Sequence, residues 1–236
     1  MTRPDPETPS PRRLSLRQLW LPILGLVLAA AAAWVLWQHL GGSPQDRFSV
    51  PEHILICLDP GHGGDDPGAS CDGRLEKDDN LALALAVGRA LTDFGSDRVE
   101  VLYTRTEDTA LELQDRVDIA NDAGATLFVS LHRNSGGGQG VEVWTSAEHH
   151  RSETRLAQYI MDGLEQVGVS RVRGVRSGTA GNAGVSYTVV SRTRMPACLV
   201  ELGFIDSDTD NALLDEHLEA YAQAIADGIL QMVKLK

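Results

Sequence analysis

The stretch HILICLDPGHGG, residues 53–64, decides the fold. After His53 it is apolar at consecutive positions as far as Leu58, the pattern of a strand covered on both faces rather than one. It then breaks at Asp59 and Pro60 into a glycine-rich loop, where residues without a Cβ let the backbone turn tightly and keep bulk away from a ligand. In open sheets whose strands are joined by helices, the ligand crevice lies beyond the carboxyl ends of the strands. His62 falls at that edge.

Working outward, strand-length apolar runs recur at 99–104, 126–131, 141–144, 186–190 and 197–202, and helical patterns occupy 80–94, 111–122, 153–168 and 217–233. This alternation predicts an α/β domain over 53–236, with a mostly parallel open sheet and helices on both faces. Two further strands stop on polar residues: 126–131 leads to His132, Arg133 and Asn134, and 197–200 leads to Glu201. Two imidazoles and a carboxylate converging at one edge suit a metal such as zinc, which in catalytic sites keeps a position open for water. For a further acidic ligand the loop 65–79 offers Asp65, Asp66, Asp72, Glu76, Asp78 and Asp79, and spacing alone does not choose among them. Asp78 and Asp79 also suit the positive end of the helix that follows.

Each residue has a plainer reading. The histidines would cap turns, Glu76 would be a solvated acid or a partner of Lys77, and Glu201 would sit in a buried ion pair with an arginine. The last is the hardest to dismiss, because a carboxylate buried without a partner costs several kcal/mol. Arg105 and Arg116 read as structural guanidiniums around loop ends. Asp59 is placed to orient a ligand histidine, and Asn134 either does likewise or sets the turn. His39, His53, His149, His150 and His217 lack converging acids and read as surface or strand-edge residues.

The net charge of −12 hides an asymmetry: Arg3, Arg12, Arg13 and Arg17 against Asp5 and Glu7 leave residues 1–18 at +2 and the remainder at −14. Such a domain repels a nucleic-acid backbone, so nucleic acid is excluded as a partner. The three cysteines lack metal-type spacing; Cys57 and Cys198 read as core, Cys71 as a loop residue. Residues 1–18 read as a Pro-rich cytoplasmic tail, and 19–40, LWLPILGLVLAAAAAWVLWQHL, as a single transmembrane helix with tryptophans near both ends. The arginines before it predict an extracytoplasmic domain on a membrane anchor, joined by a linker at 41–52. A cleaved signal peptide with a secreted domain is the alternative.

Several motifs occur together and in register: LDPGHGGDDPGA from Leu58, RLEKDDNLALA from Arg74, YTRTEDTALELQDRVDIAN from Tyr103, LFVSLHRNS from Leu127, GVEVW from Gly140 and PACLVELGFIDSDTDNALL from Pro196. In this order they resemble the zinc-dependent N-acetylmuramoyl-L-alanine amidases of the amidase-3 type, over almost all of the predicted domain. The resemblance implies that zinc is bound by His62, Glu76 and His132, that Glu201 is catalytic, and that the amide between N-acetylmuramic acid and L-alanine of peptidoglycan is hydrolysed. Arg133 stands where many members carry a small residue, and the segment between His132 and Gly140 is too short for the autoinhibitory helix of some relatives. A separate activator protein is left open as a partner. The alternatives are a non-catalytic cell-wall-binding or activator module, and a zinc amidase acting on another amide.

Overall fold

The computed structural model describes residues 48–235 other than Gly95 and His149. The expected tail, the expected transmembrane helix and the linker as far as residue 47 lie outside these residues. Among the described residues no helix is long and apolar enough to cross a membrane.

The elements run β1 (Ile54–Pro60), a small hairpin of β2 (Ser70–Cys71) and β3 (Arg74–Leu75), α1 (Glu76–Asp93), β4 (Val99–Tyr103), α2 (Leu113–Asp122), β5 (Leu127–Asn134), β6 (Val141–Thr145), α3 (Arg151–Val167), β7 (Val172–Ser177), α4 (Thr188–Ser191), β8 (Ala197–Phe204) and α5 (Asp208–Met232). The main sheet has six strands in the order β4-β1-β5-β8-β6-β7. Every pairing in it is parallel except β6 with β8. The α/β class and the mostly parallel sheet are as expected, and β6 makes the sheet mixed. The link from β5 to β6, residues 135–140, is too short for the crossover that parallel strands need, so β6 runs back in the opposite direction.

Two expectations are corrected. Residues 186–190, read as a strand from their β-branched side chains, instead enter α4, a single turn whose backbone N–H groups at Val190 and Ser191 both bond to Tyr187 O. Val189 and Val190 are buried from that turn. Strand β7 was not foreseen, because VRGVRS carries two arginines and a glycine; it is an edge strand and can afford them.

The two faces of the sheet are covered unequally. Helices α1, α3 and α5 bury the larger cluster, which includes Ile54, Ile56, Leu58, Val129, Leu131 and Val200. Fully buried side chains of this kind each contribute roughly 1.5–3 kcal/mol. Phe48 and Val50, placed in the linker by sequence, pack against it. Helices α2 and α4 cover the other face through a smaller cluster around Cys57, Phe128, Trp144 and Leu199. Cys57 and Cys198 are both fully buried, as expected of core residues.

Because side chains alternate along a strand, the thinner face also receives Asp59, Ser130, His132, Glu201 and Glu142, which are matched across the strands as Asp59–Ser130, His132–Glu201 and Glu201–Glu142. The polar residues therefore gather where the helical cover is least.

Candidate metal centre and its cleft

His62, Glu76 and His132 come together with one ligand-type atom from each within 4.8 Å of one another, in a group of this kind that is unique among the described residues. Glu76 opens α1, four residues before the predicted start of that helix, and its negative charge suits the helix dipole. Its Oε1 lies 2.9 Å from His132 Nδ1 and 3.3 Å from His62 Nε2. Asp65, Asp66, Asp72, Asp78 and Asp79 are not in this group, so geometry selects Glu76 from the acids that spacing left open.

The backbone is shaped to bring these rings together. His62 has a φ of 60°, the left-handed region that few non-glycine residues occupy, and such conformations concentrate at functional sites. A Cβ at Gly61 would lie 2.1 Å from His132 Cε1, so the imidazole of His132 sits where only glycine leaves room. The second ring nitrogen of His62, Nδ1, lies 2.8 Å from Asp66 Oδ2, and Asp66 Oδ1 accepts from Gly68 N. A carboxylate behind a ligand histidine fixes its orientation and raises its basicity. The residue expected in that role was Asp59. It is instead committed to Arg116, Thr104 and Ser130, because it is fully buried and needs compensation there.

The electrostatics also fit a cation. Burial opposes a charge on His62, but hydrogen bonds to Glu76 and Asp66 and their negative charges outweigh it, and the pKa is pushed up to about 9. Burial likewise opposes ionisation of Glu76, yet its hydrogen bonds to the two histidines hold it well below the usual carboxylate range. An anionic oxygen facing two ring nitrogens is a donor set that zinc satisfies.

Glu201 lies in the same cleft of about 600 Å³, which is also lined by Leu111, Glu112, Asn134 and Tyr187. Strands β5 and β8 run on to Asn134 and Phe204, so His132 and Glu201 lie within the strands rather than just past their ends. Among the described residues no arginine pairs with Glu201. Its Oε2 is sealed from solvent without a hydrogen-bond partner, and burial, reinforced by the charges of Glu76 and Glu142, raises its pKa to about 7 against the opposing pull of the two histidines.

Arg105 and Arg116 hold the ligand loop, as expected of structural guanidiniums: Arg105 donates to Pro60 O, Gly61 O and Lys77 O, and Arg116 to Asp59, Pro60 O and His62 O. Arg133 plays a part that its sequence position did not announce. Its buried guanidinium donates to Asp79 on α1, to Gly203 O and Phe204 O on β8, and to Asn211 on α5. Asp79 also takes Arg74. One side chain thus ties the elements that carry Glu76, His132 and Glu201.

Sequence reading missed Glu142. It is buried, accepting from Asn134 Nδ2 at 2.7 Å, Arg173 Nε at 2.9 Å and Arg176 Nε at 3.0 Å. A polar residue at a covered position of the apolar run GVEVW was the available signal. Cys71 lies outside the group, as do His53 and His150, each beside a single exposed acid, Glu100 and Glu148 respectively. His39 and His149 are outside the described residues.

A His-Glu-His cluster beside an unpaired carboxylate, at the carboxyl edge of an α/β sheet, is an arrangement suited to metal-assisted hydrolysis. Residues 56–231 match the family model described as N-acetylmuramoyl-L-alanine amidase. The chain belongs to this family, whose general property is dependence on zinc, and it is an amide hydrolase. Over 185 residues it is 35% identical to the sporulation-specific N-acetylmuramoyl-L-alanine amidase of Bacillus subtilis, a match spanning 78% of this chain and 69% of that protein. It superimposes on the catalytic domain of the amidase CwlV from Paenibacillus polymyxa with a TM-score of 0.69 at 32% identity, covering 78% of this chain and 99% of that one. The CwlD amidase of Clostridioides difficile, solved in complex with the GerS lipoprotein, gives 0.69 at 26% identity over 78% of this chain and 100% of that one.

Proposed function

We propose that this chain hydrolyses the amide between the lactyl group of N-acetylmuramic acid and L-alanine in peptidoglycan, with zinc held by His62, Glu76 and His132 and with Glu201 as general base and acid. The observation that carries this reading is the placement of all four side chains in one cleft, where Glu201 has the only carboxylate oxygen among the described residues that is sealed from solvent without a partner. Zinc bound to the three ligands would supply Lewis acidity, polarising the scissile carbonyl and acidifying a water.

Glu201 takes the proton of the attacking water and returns it to the departing amine of L-alanine. A raised pKa suits both halves of that task, since a carboxyl near neutrality gives up a proton as readily as it takes one. Glu201 would be drawn back toward the ionised base by the positive charge of a cation held at the three ligands. Asp66 holds His62 by its far nitrogen, and the backbone N–H of Arg133 and of Ala69 donate to Glu76 Oε1 and Oε2, so the ligand carboxylate is fixed by bonds at both oxygens.

The apolar segment 19–40, preceded by arginines, supports a membrane-anchored chain with its catalytic domain outside the cytoplasm, where peptidoglycan lies. The complex of the CwlD relative with a lipoprotein supports regulation by a separate partner. The test is incubation of the full chain with purified peptidoglycan, with analysis of the soluble products. Release of stem peptides with new L-alanine amino termini is expected; metal-loaded chain that releases no peptide would instead favour a wall-binding module.

A further inference from the structure

On the strands beside Glu201 the charge balance is uneven. Glu142 is the register partner of Glu201 across β8 and β6. Two guanidiniums of the neighbouring strand β7, those of Arg173 and Arg176, converge on a single oxygen of it, Oε2, while Oε1 is taken by Asn134. Their approach is built into the backbone: the register of β6 and β7 shifts between Val141 and Glu142, and Gly174 follows with a φ of 90°. A bulge of this kind places an extra residue in one strand and re-aims its side chain, here Arg173.

Two positive charges facing one negative charge leave one uncompensated. Arg173 also donates to Gln139 O and lies 5.0 Å from the centre of the Phe204 ring. Arg176 gives only Nε to Glu142, and among the described residues its terminal nitrogens have no hydrogen-bond acceptor. Its side chain is 45% exposed, and its pairing with Trp144, which is in turn paired with Leu199, puts it on the face of the sheet that carries Glu201. The lining of the cleft itself includes Glu112 and Asp115. Acidic side chains thus line the cleft at the start of α2, while the uncompensated positive charge stands on β7, two strands from Glu201, within a domain whose net charge is strongly negative.

We propose that Arg176, set by Glu142 and Arg173, is a specificity-determining residue that receives a carboxylate of the stem peptide, on the leaving-group side of the scissile amide. The inference rests on the amidase reading above and adds the class of group that the cleft selects: a free carboxylate in preference to its amide. A guanidinium held by one edge keeps its other edge free for a planar anion, and such charge-assisted bonds are about twice as strong as neutral ones. An amidated substrate presents neither charge nor a matching pair of acceptors.

The test uses two synthetic muramoyl-L-alanyl peptides, identical except that the carboxylate of the residue after L-alanine is free in one and amidated in the other. For the native chain, kcat/KM should favour the free carboxylate by about tenfold, the order expected of one charge-assisted contact, and chiefly through KM. In Arg176→Gln that ratio should fall to near one, and in Arg176→Lys, which keeps the charge and loses the fork, it should fall between the two. Calorimetry with the corresponding L-alanyl product peptides reads the same ratio as binding, without turnover. Absence of hydrolysis therefore counts against the amidase reading, while the binding ratio still decides this one. A native ratio at or below one, or a ratio unchanged in Arg176→Gln, overturns the proposal. Should Arg176→Gln fail to fold, the native and Arg176→Lys ratios still decide it.

Discussion

Glu142 and Glu201 stand opposite one another on adjacent strands, alike in chemistry, and the molecule treats them differently. Glu142 has every oxygen bonded, by one amide and two guanidiniums. Glu201 has an oxygen sealed from solvent with no partner. A protein that can place two arginines on one carboxylate and leaves its neighbour unpaired carries the cost of that neighbour in stability, and such unpaired groups recur where chemistry is done. Glu142 holds the strands, and Glu201 is kept available.

The difference is open to direct attack. The largest expected effect is on turnover: Glu201→Gln should lower kcat on muropeptides by about 10²–10⁴, the range of a lost general base, while urea unfolding moves by less than about 1 kcal/mol because no bond is broken. A variant that folds normally and still turns over substrate would remove Glu201 from the mechanism. Glu142→Ala should invert the pattern and destabilise the domain by about 2–3 kcal/mol in the same unfolding assay. This is below the 3–5 kcal/mol of a fully buried pair because both guanidiniums reach solvent. An unchanged midpoint would mean that the two arginines are indifferent to it.

The smallest effect links the two. A general base must be ionised, so kcat/KM should fall as the pH drops through the pKa of Glu201, which is raised by its burial and by the negative charges of Glu76 and Glu142. Removing one of those charges in Glu142→Gln lowers that pKa, and the acid limb of the pH profile should shift to lower pH. A shift to higher pH, or a limb that also persists in Glu201→Gln, would assign it to another group.

The same contrast explains what could be read from the sequence. Strands β1, β5 and β8 were legible because consecutive apolar residues lead to His62, His132 and Glu201, although β5 and β8 run on past the last two. Strand β7 was not, because an edge strand tolerates arginines and its bulge disrupts the alternation. The short helix α4 was misread because Val189 and Val190 favour strands in general, and only the absence of a neighbouring strand to pair with decides otherwise. The carboxylate behind a ligand histidine was expected at Asp59, whereas Asp66 stands behind His62, since sequence cannot say that Asp59 is spent on Arg116. Glu76 was chosen by family resemblance, and the geometry of α1 supplies the physical reason: as the first residue of the helix it points back over the loop between its two histidines.

The most direct test of the central claim is a zinc titration of the full chain after chelation, with bound zinc and released stem peptide followed together in the native chain and in Glu201→Gln. Release by the native chain should rise in step with bound zinc and level off at one ion per chain, and Glu201→Gln should take up the same zinc and release nothing. Full release by the zinc-depleted native chain, or loss of zinc from Glu201→Gln, would contradict the division of labour between the three ligands and the base.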